Sequence, residues 1–376
     1  MPSFAESRPL HLEDPPDGPG IFGLPYGPGE SLFHVIPAPF EATTSYGRGT
    51  ARGPAAILEA SEQIDLLDLD FGRPWVAGIH MLPPPPGLEA LNEEACRLVR
   101  EEGPGSEPGE TEVDRLCRRA NAALRHAVSH ALRQGRIVGV LGGDHSMALP
   151  AIQAHAEAFT SFGVLQIDAH MDLRKAYQGF HFSHASVMRN VLESVPAVTK
   201  LVQVAVRDFC EEEQAFARAA TSRVAVFPDT LVRDANHGRR EFTALARQIV
   251  DELPRHVYVS FDIDGLDPRL CPSTGTPVPG GLSFHQASEL LRCLAASGRR
   301  IIGFDLCEVA PGKDGPWDAN VGARVLYKLI GATLLSRLDA RRSPSLSESA
   351  RRPETQTSTR RRVRAVGKRS TSPDRG

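Results

Sequence analysis

The sequence predicts an α/β protein of three layers, with a central, mostly parallel sheet between two sheets of helices. Three observations predict it. Short apolar segments such as Ile137-Val138-Gly139-Val140-Leu141 and Gly163-Val164-Leu165-Gln166-Ile167 recur along the chain. Such runs suit strands covered on both faces, as in parallel sheets. Amphipathic helical segments alternate with them, and Gly or Pro marks the junctions.

Taken in order, residues 1 to about 32 are rich in Pro and Gly and read as a loosely ordered arm. A strand starts at His34-Val35-Ile36 and runs into Pro37-Ala38-Pro39-Phe40, followed by the polar loop Thr43 to Gly49. Gly53-Pro54 opens a helix, where proline in the first turn loses no hydrogen bond. Residues 82–87 form a proline run and 103–109 a loop. Over 111–134 the apolar residues Val113, Leu116, Ala120, Leu124, Val128 and Leu132 recur every three or four positions, which is a helix. Further strands are expected at 137–141, 163–168, 200–206, 223–227, 256–262 and 300–306. Helices are expected at 147–158, 185–193, 210–220, 240–252, 284–297 and 318–338. Three regions result: the arm (1–32), a catalytic domain (33–338) and a basic, disordered tail (339–376) poor in large apolar residues.

Composition narrows the function classes. With 376 residues, 41% hydrophobic and 24% charged, the chain can bury a substantial core. The net charge of −3 hides an asymmetry. Residues 341–376 carry eleven Lys/Arg and three Asp/Glu, a formal +8, which leaves −11 on the rest. An acidic body suits a cationic substrate, and the basic tail reads as a solvated extension, with no nucleic-acid partner expected. The six cysteines show no paired spacing and read as free thiols of a reducing compartment. No apolar run of about 18 residues and no basic-then-apolar N-terminus appear, so neither a membrane partner nor a secretory signal is expected, and the cytoplasm is the default location.

The chemistry sits at the strand ends. Asp168, His170 and Asp172 follow a core strand at intervals of two, which in extended chain turns all three to one side. Gly142-Gly143-Asp144-His145-Ser146 follows another strand, Asp262-Ile263-Asp264-Gly265-Leu266-Asp267-Pro268 a third, and Glu308 a fourth. Parallel strands put these ends on one edge of the sheet, where open α/β folds place their sites. Packing Asp168, Asp172, Asp262 and Asp264 together costs on the order of 4 kcal/mol per like-charge contact at about 4 Å. The cluster demands cations: two divalent ions set +4 against −4 and acidify a water. Histidine and carboxylate without thiolate favour ions of the manganese type.

These motifs resemble the signatures of the ureohydrolase family, which comprises arginases, agmatinases, guanidino-acid hydrolases and formimidoylglutamases. Gly142 to Ser146, Asp168 to Asp172, and Ser260 to Pro268 carry the resemblance, with Thr274-Gly275-Thr276-Pro277, Gly280-Gly281 and Glu308-Val309-Ala310-Pro311 in support. It covers about 34–335 and implies the arginase-like α/β/α fold and two Mn²⁺ ions. It implies one ion on His145, Asp168, Asp172 and Asp262, and a second on Asp168, His170, Asp262 and Asp264. Glu308 would orient a guanidinium, and His184 occupies the place of a proton-shuttling histidine, with His181 a neighbouring alternative. Where arginases carry an Asn that reads the amino-acid end of arginine, this chain has Arg174, a substrate-binding candidate. Asp-Leu-Arg followed by Tyr, Gly and Ser-His-Ala is similar to agmatinases and their aminopropylagmatine relatives. The expectation is a small guanidino substrate, agmatine going to putrescine and urea, in a homo-oligomer, a trimer or hexamer. Arg174 and Lys175 keep open a carboxylate-bearing substrate such as formimidoylglutamate or a guanidino acid. A deacetylase-like amidohydrolase with one zinc and a non-catalytic binding protein are the readings from other classes, separable by metal stoichiometry and by urea release.

Overall fold

The computed structural model describes residues 18–103, 111–235 and 239–338. Residues 1–17 of the expected arm, most of the expected loop at 103–109, and the expected tail 339–376 lie outside the described residues. The eight strands are β1 Phe33–Ala38, β2 Ile79–Met81, β3 Ile137–Gly142, β4 Phe162–Ile167, β5 Val198–Val204, β6 Val224–Phe227, β7 His256–Asp262 and β8 Arg300–Cys307. All pair in parallel, in the order β2-β1-β3-β8-β7-β4-β5-β6.

Alternation along each strand divides the core between the two faces. Val138 and Val140 of β3 face one side, with Val164 of β4 and Tyr258 of β7. This side is covered by α2 (Leu88–Glu102), α3 (Glu112–Arg133), α4 (Ala148–Ala158), α5 (Val187–Ser194) and α6 (Glu211–Ala219). Ile137, Leu141, Leu165, Val259 and Phe304 face the other. There they meet α1 (Gly53–Ser61), α7 (Asp229–Asp234), α8 (Arg239–Asp251), α9 (Phe284–Ala296) and α10 (Trp317–Leu335). The capping residues are legible in the sequence. Thr111 and Ser283 each accept from the backbone N–H three residues on, and the side chain there returns the bond.

The structure adds elements that periodicity did not supply. β2 is a three-residue edge strand just before the proline run, too short for a pattern. The stripe Leu88, Leu91, Ala95 and Leu98 of α2 packs one face on α3. α7 is a six-residue helix after Pro228. Part of the stretch read as a loosely ordered arm is core: Ile21, Phe22 and Leu24 are fully buried, and Phe22 meets the Tyr327 ring edge-on at 4.9 Å. Proline and glycine counts hid those three side chains. Among the described residues, no helix is long and apolar enough to cross a membrane.

What positions the site is the order of the strands. The chain leaves β3, skips two strand positions to β4, continues outward through β5 and β6, then returns to fill the gap with β7 and β8. β3, β8, β7 and β4 therefore stand side by side.

Candidate metal centre

The C-terminal ends of these four strands carry His145 (after β3), Glu308 (after β8), Asp262 and Asp264 (β7), and Asp168, His170 and Asp172 (β4). One local device turns the chain at three of the four ends. Asp144 accepts from Ser146 N at 3.1 Å, Asp168 from His170 N at 2.6 Å, and Asp262 from Asp264 N at 2.8 Å. Each is an Asx turn, in which a carboxylate two residues back replaces the lost strand partner. Asp144 is fully buried beneath the rim, where it also accepts from the Ser146 hydroxyl and, at 3.3 Å, from the Thr43 hydroxyl. Gly143 is needed because a Cβ there would stand 1.9 Å from the Phe40 carbonyl oxygen.

The side chains converge. His145 Nδ1 lies 3.0 Å from Asp168, 2.9 Å from Asp172 and 3.4 Å from Asp262. His170 Nδ1 lies 3.1 Å from Asp264 and 3.5 Å from Asp168. Two groups of ligand atoms result, His145–Asp168–Asp172 and Asp168–His170–Asp264, with Asp168 common to both. The chain at 168–172 is not simply extended, as the spacing suggested. Asp172 takes φ +55°, a left-handed conformation that costs a non-glycine residue of order 1–3 kcal/mol. Its carbonyl accepts from Met188 and Arg189 N–H at the start of α5, both at 3.1 Å, which holds the bend.

Residues beneath the rim fix the ligands. As a carboxylate, Asp305 accepts from the Ser260 hydroxyl at 2.9 Å. Ser260 Oγ is then left to accept from His145 Nε2–H at 2.9 Å, which makes Nδ1 the nitrogen that faces the carboxylates. Thr276 donates to Asp264 at 3.3 Å, and Gln166 to Asp168 at 2.7 Å. Strand-end reasoning missed Ser260, Asp305, Gln166 and Thr276. The first three had a signal: single polar residues inside otherwise apolar strands.

The titration of these groups states the demand for positive charge. Burial and then the Asp168 charge push Asp172 up to about 7. Burial, Asp264 and Asp168 hold Asp262 well above the usual carboxylate range. Burial alone would lower both histidines. Instead Asp168 and Asp172 hold His145 well above its ordinary value, and Asp264 and Asp168 carry His170 to about 12. Two imidazole nitrogens facing four carboxylates, with no lysine or arginine among them and no thiolate, form a donor set that fits two divalent cations of the manganese class.

A cavity of about 450 Å³ opens above the cluster, lined by Ser45, Tyr46, Asp172, Arg174, Tyr177 and His184 among others. His184 Nε2 lies 3.3 Å from Ser45 Oγ, and burial pushes its imidazole down to about 4. His181 is exposed and outside the lining. Arg174 stands on the wall, stacked 4.8 Å over the Tyr177 ring and 3.7 Å from Glu213. Glu308 is buried at φ +64°, with Oε1 accepting from His145 N at 2.9 Å. Its Oε2 accepts no hydrogen bond among the described residues and faces Gly275, where a Cβ would come to 3.4 Å.

The chain is similar to known proteins. The family model described as "Arginase family" matches residues 31–331. The N(1)-aminopropylagmatine ureohydrolase of Thermus thermophilus is 38% identical over 305 residues, covering 80% of this chain and 90% of its own. The agmatinase of Pyrococcus horikoshii is 30% identical over 79% of this chain and 90% of its own. Among solved structures, the agmatine ureohydrolase of Thermoplasma volcanium superposes with a TM-score of 0.65 at 24% identity, covering 82% of this chain and 92% of its own. The Trypanosoma cruzi formiminoglutamase with manganese gives 0.67 at 18%, covering 84% and 98%. At those identities the structural likeness speaks to the fold.

Proposed function

This chain belongs to the arginase family, hydrolases of C–N bonds in linear amidines, and from that premise we propose that it releases urea from agmatine, leaving putrescine, with two Mn²⁺ ions as cofactor. One ion would be held by His145, Asp168, Asp172 and Asp262, and the other by Asp168, His170, Asp262 and Asp264. The observation that carries the reading is the sharing of Asp168 by two ligand groups on the floor of one cavity. When bound, such a pair acidifies a water molecule and so supplies the nucleophile.

The side chains do the rest. Glu308, with Oε2 uncommitted, would accept the N–H fork of the guanidinium and set its approach to the cluster. His184, half-buried and kept neutral at pH 7 by desolvation, would take a proton at Nε2 as water attacks and return it to the departing amine. Arg174 would contact the substrate's chain. Its charge is offset by Glu213, which weighs against its reading a substrate carboxylate and so against formimidoylglutamate and guanidino acids. The N(1)-aminopropyl derivative of agmatine is the second reading, favoured by the 38% relative and by an exposed acid, Asp208, on the cavity lining. Six free cysteines fit a cytoplasmic enzyme. We place it in a homo-oligomer, a trimer or hexamer.

The test is product release with Mn²⁺ from agmatine, N(1)-aminopropylagmatine, arginine, guanidinobutyrate and formimidoylglutamate, the last scored as formamide. Urea from the two amines supports the reading. Formamide without urea replaces the substrate and leaves the metal centre standing.

A further inference from the structure

β4 and β5 each carry one glutamine in an apolar run, Gln166 and Gln203, paired in register and both fully buried. A buried amide costs desolvation unless it is hydrogen-bonded, so the destination of its bonds is informative. Gln203 Nε2 donates to Gln166 Oε1 at 2.6 Å and to the Met171 carbonyl at 2.6 Å. Gln166 Nε2 donates to Asp168 Oδ2 at 2.7 Å and reaches the His170 carbonyl at 3.5 Å. The direction is forced. Turning either amide over would set oxygen against oxygen, at Met171 and Gln166 for one and at the Asp168 carboxylate for the other. That orientation leaves Gln203 Oε1 buried without a hydrogen-bond partner, which packing alone does not require.

We propose that Gln203 and Gln166 are positioning residues, an amide relay that aims Asp168 and fixes the ligand loop before cations bind. Asp168 is the carboxylate common to both ligand groups, and each of its oxygens is held by one amide donor, with His145 Nδ1 also 3.0 Å from Oδ2. Oδ2 takes the relay and Oδ1 takes His170 N–H at 2.6 Å. A carboxylate oxygen has a second lone-pair direction, and the groups the amides leave nearest to Asp168 are the His145 and His170 Nδ1 atoms, at 3.0 and 3.5 Å, whose protons a cation would replace. Through the Met171 and His170 carbonyls the same amides tie the loop 168–172 to the floor of the sheet. Chained hydrogen bonds polarise one another, so Gln203 strengthens the grip of Gln166 on Asp168 without touching it. The inference rests on the two-cation reading of the site.

Equilibrium dialysis of the full-length protein against Mn²⁺, beside the Tm of the metal-stripped protein, tests it. Replacing both glutamines with methionine keeps their volume and removes both partners of the Gln166–Gln203 bond, while the Met171 carbonyl and Asp168 each lose a donor. Gln203→Glu keeps the shape but offers no N–H: as a carboxylate it makes Gln166 turn its oxygen toward Asp168, and as a buried acid its single O–H cannot serve both Gln166 and the Met171 carbonyl. Both variants are expected to bind Mn²⁺ about 10–100-fold more weakly than the parent while the metal-free protein still unfolds in one cooperative transition. Parent-like affinity, within twofold, in the double variant overturns the relay and makes the amides core filler. If the double variant does not fold, Gln203→Glu decides by the same measurement. A parent that binds no Mn²⁺ overturns the metal reading itself, and the relay with it.

Discussion

His184 is where chemistry can be separated from metal binding. It belongs to neither ligand group, yet it lines the cavity, and burial keeps its imidazole neutral at pH 7. His184→Ala is expected to lower the rate of urea release about 10²–10⁴-fold while Mn²⁺ content, measured by atomic absorption, stays at the parent level. An unchanged rate would remove His184 from the proton path. In the sequence, His184 was the candidate by resemblance, with His181, three residues before it in the same loop, the residue it could be confused with. They part because His181 N–H is tied to Asp114 at 2.8 Å, with its ring out toward solvent. Asp172 and Glu308 show another limit of sequence. Both are ordinary acids on paper, and both are aimed by left-handed backbone that only the surrounding contacts enforce.

At the scale of the element, the unit that matters is a strand end followed by an Asx turn. Its acids and histidines were plain in the sequence, because polar residues in a fixed rhythm directly after an apolar run have no structural need to be there. The glycines record where two such ends touch. At Gly265, beside Asp264, a Cβ would stand 2.7 Å from Asp168 N and 2.9 Å from the Ile167 carbonyl carbon, both backbone atoms. Gly265→Ala is therefore expected to push the β7 and β4 ends apart. It should cost about 1–3 kcal/mol by chemical denaturation and weaken Mn²⁺ binding in dialysis, because Asp264 and Asp168 serve one ligand group. Wild-type stability with wild-type metal affinity would show that the two ends are not held in contact.

At the scale of the molecule, the last two strands to be made close the site by entering between β3 and β4. Ligands more than a hundred residues apart meet only then, and their charges must be balanced in the finished fold. Asp172, Asp262 and Glu308 hold protons in the folded metal-free protein that the unfolded chain gives up above about 4. His145 and His170 do the same above about 6.5. Asp168, held low, contributes the opposite sign only below its unfolded value. The folded state thus carries the excess of protons, and the metal-free protein loses stability as pH rises through the range up to Asp172's value of about 7 and beyond. Bound cations displace those protons. The rise in Tm produced by saturating Mn²⁺ should be larger at pH 8 than at pH 5.5 by differential scanning fluorimetry. An equal or smaller rise at pH 8 would mean that the cluster does not exchange protons for metal.

The sequence by itself determined the layered α/β architecture and the ligand residues proposed for two cations. Hydrophobic period and the demand of clustered carboxylates for positive charge are properties of composition and spacing. The tertiary structure decided which strands are neighbours, and so which acids come together at one rim. It also set the bend at Asp172, the choice between two loop histidines, and the buried hydroxyl, carboxylate and amides that steer the ligands. Those depend on contacts between residues far apart in the chain, and no local pattern encodes a contact whose partner lies on another strand.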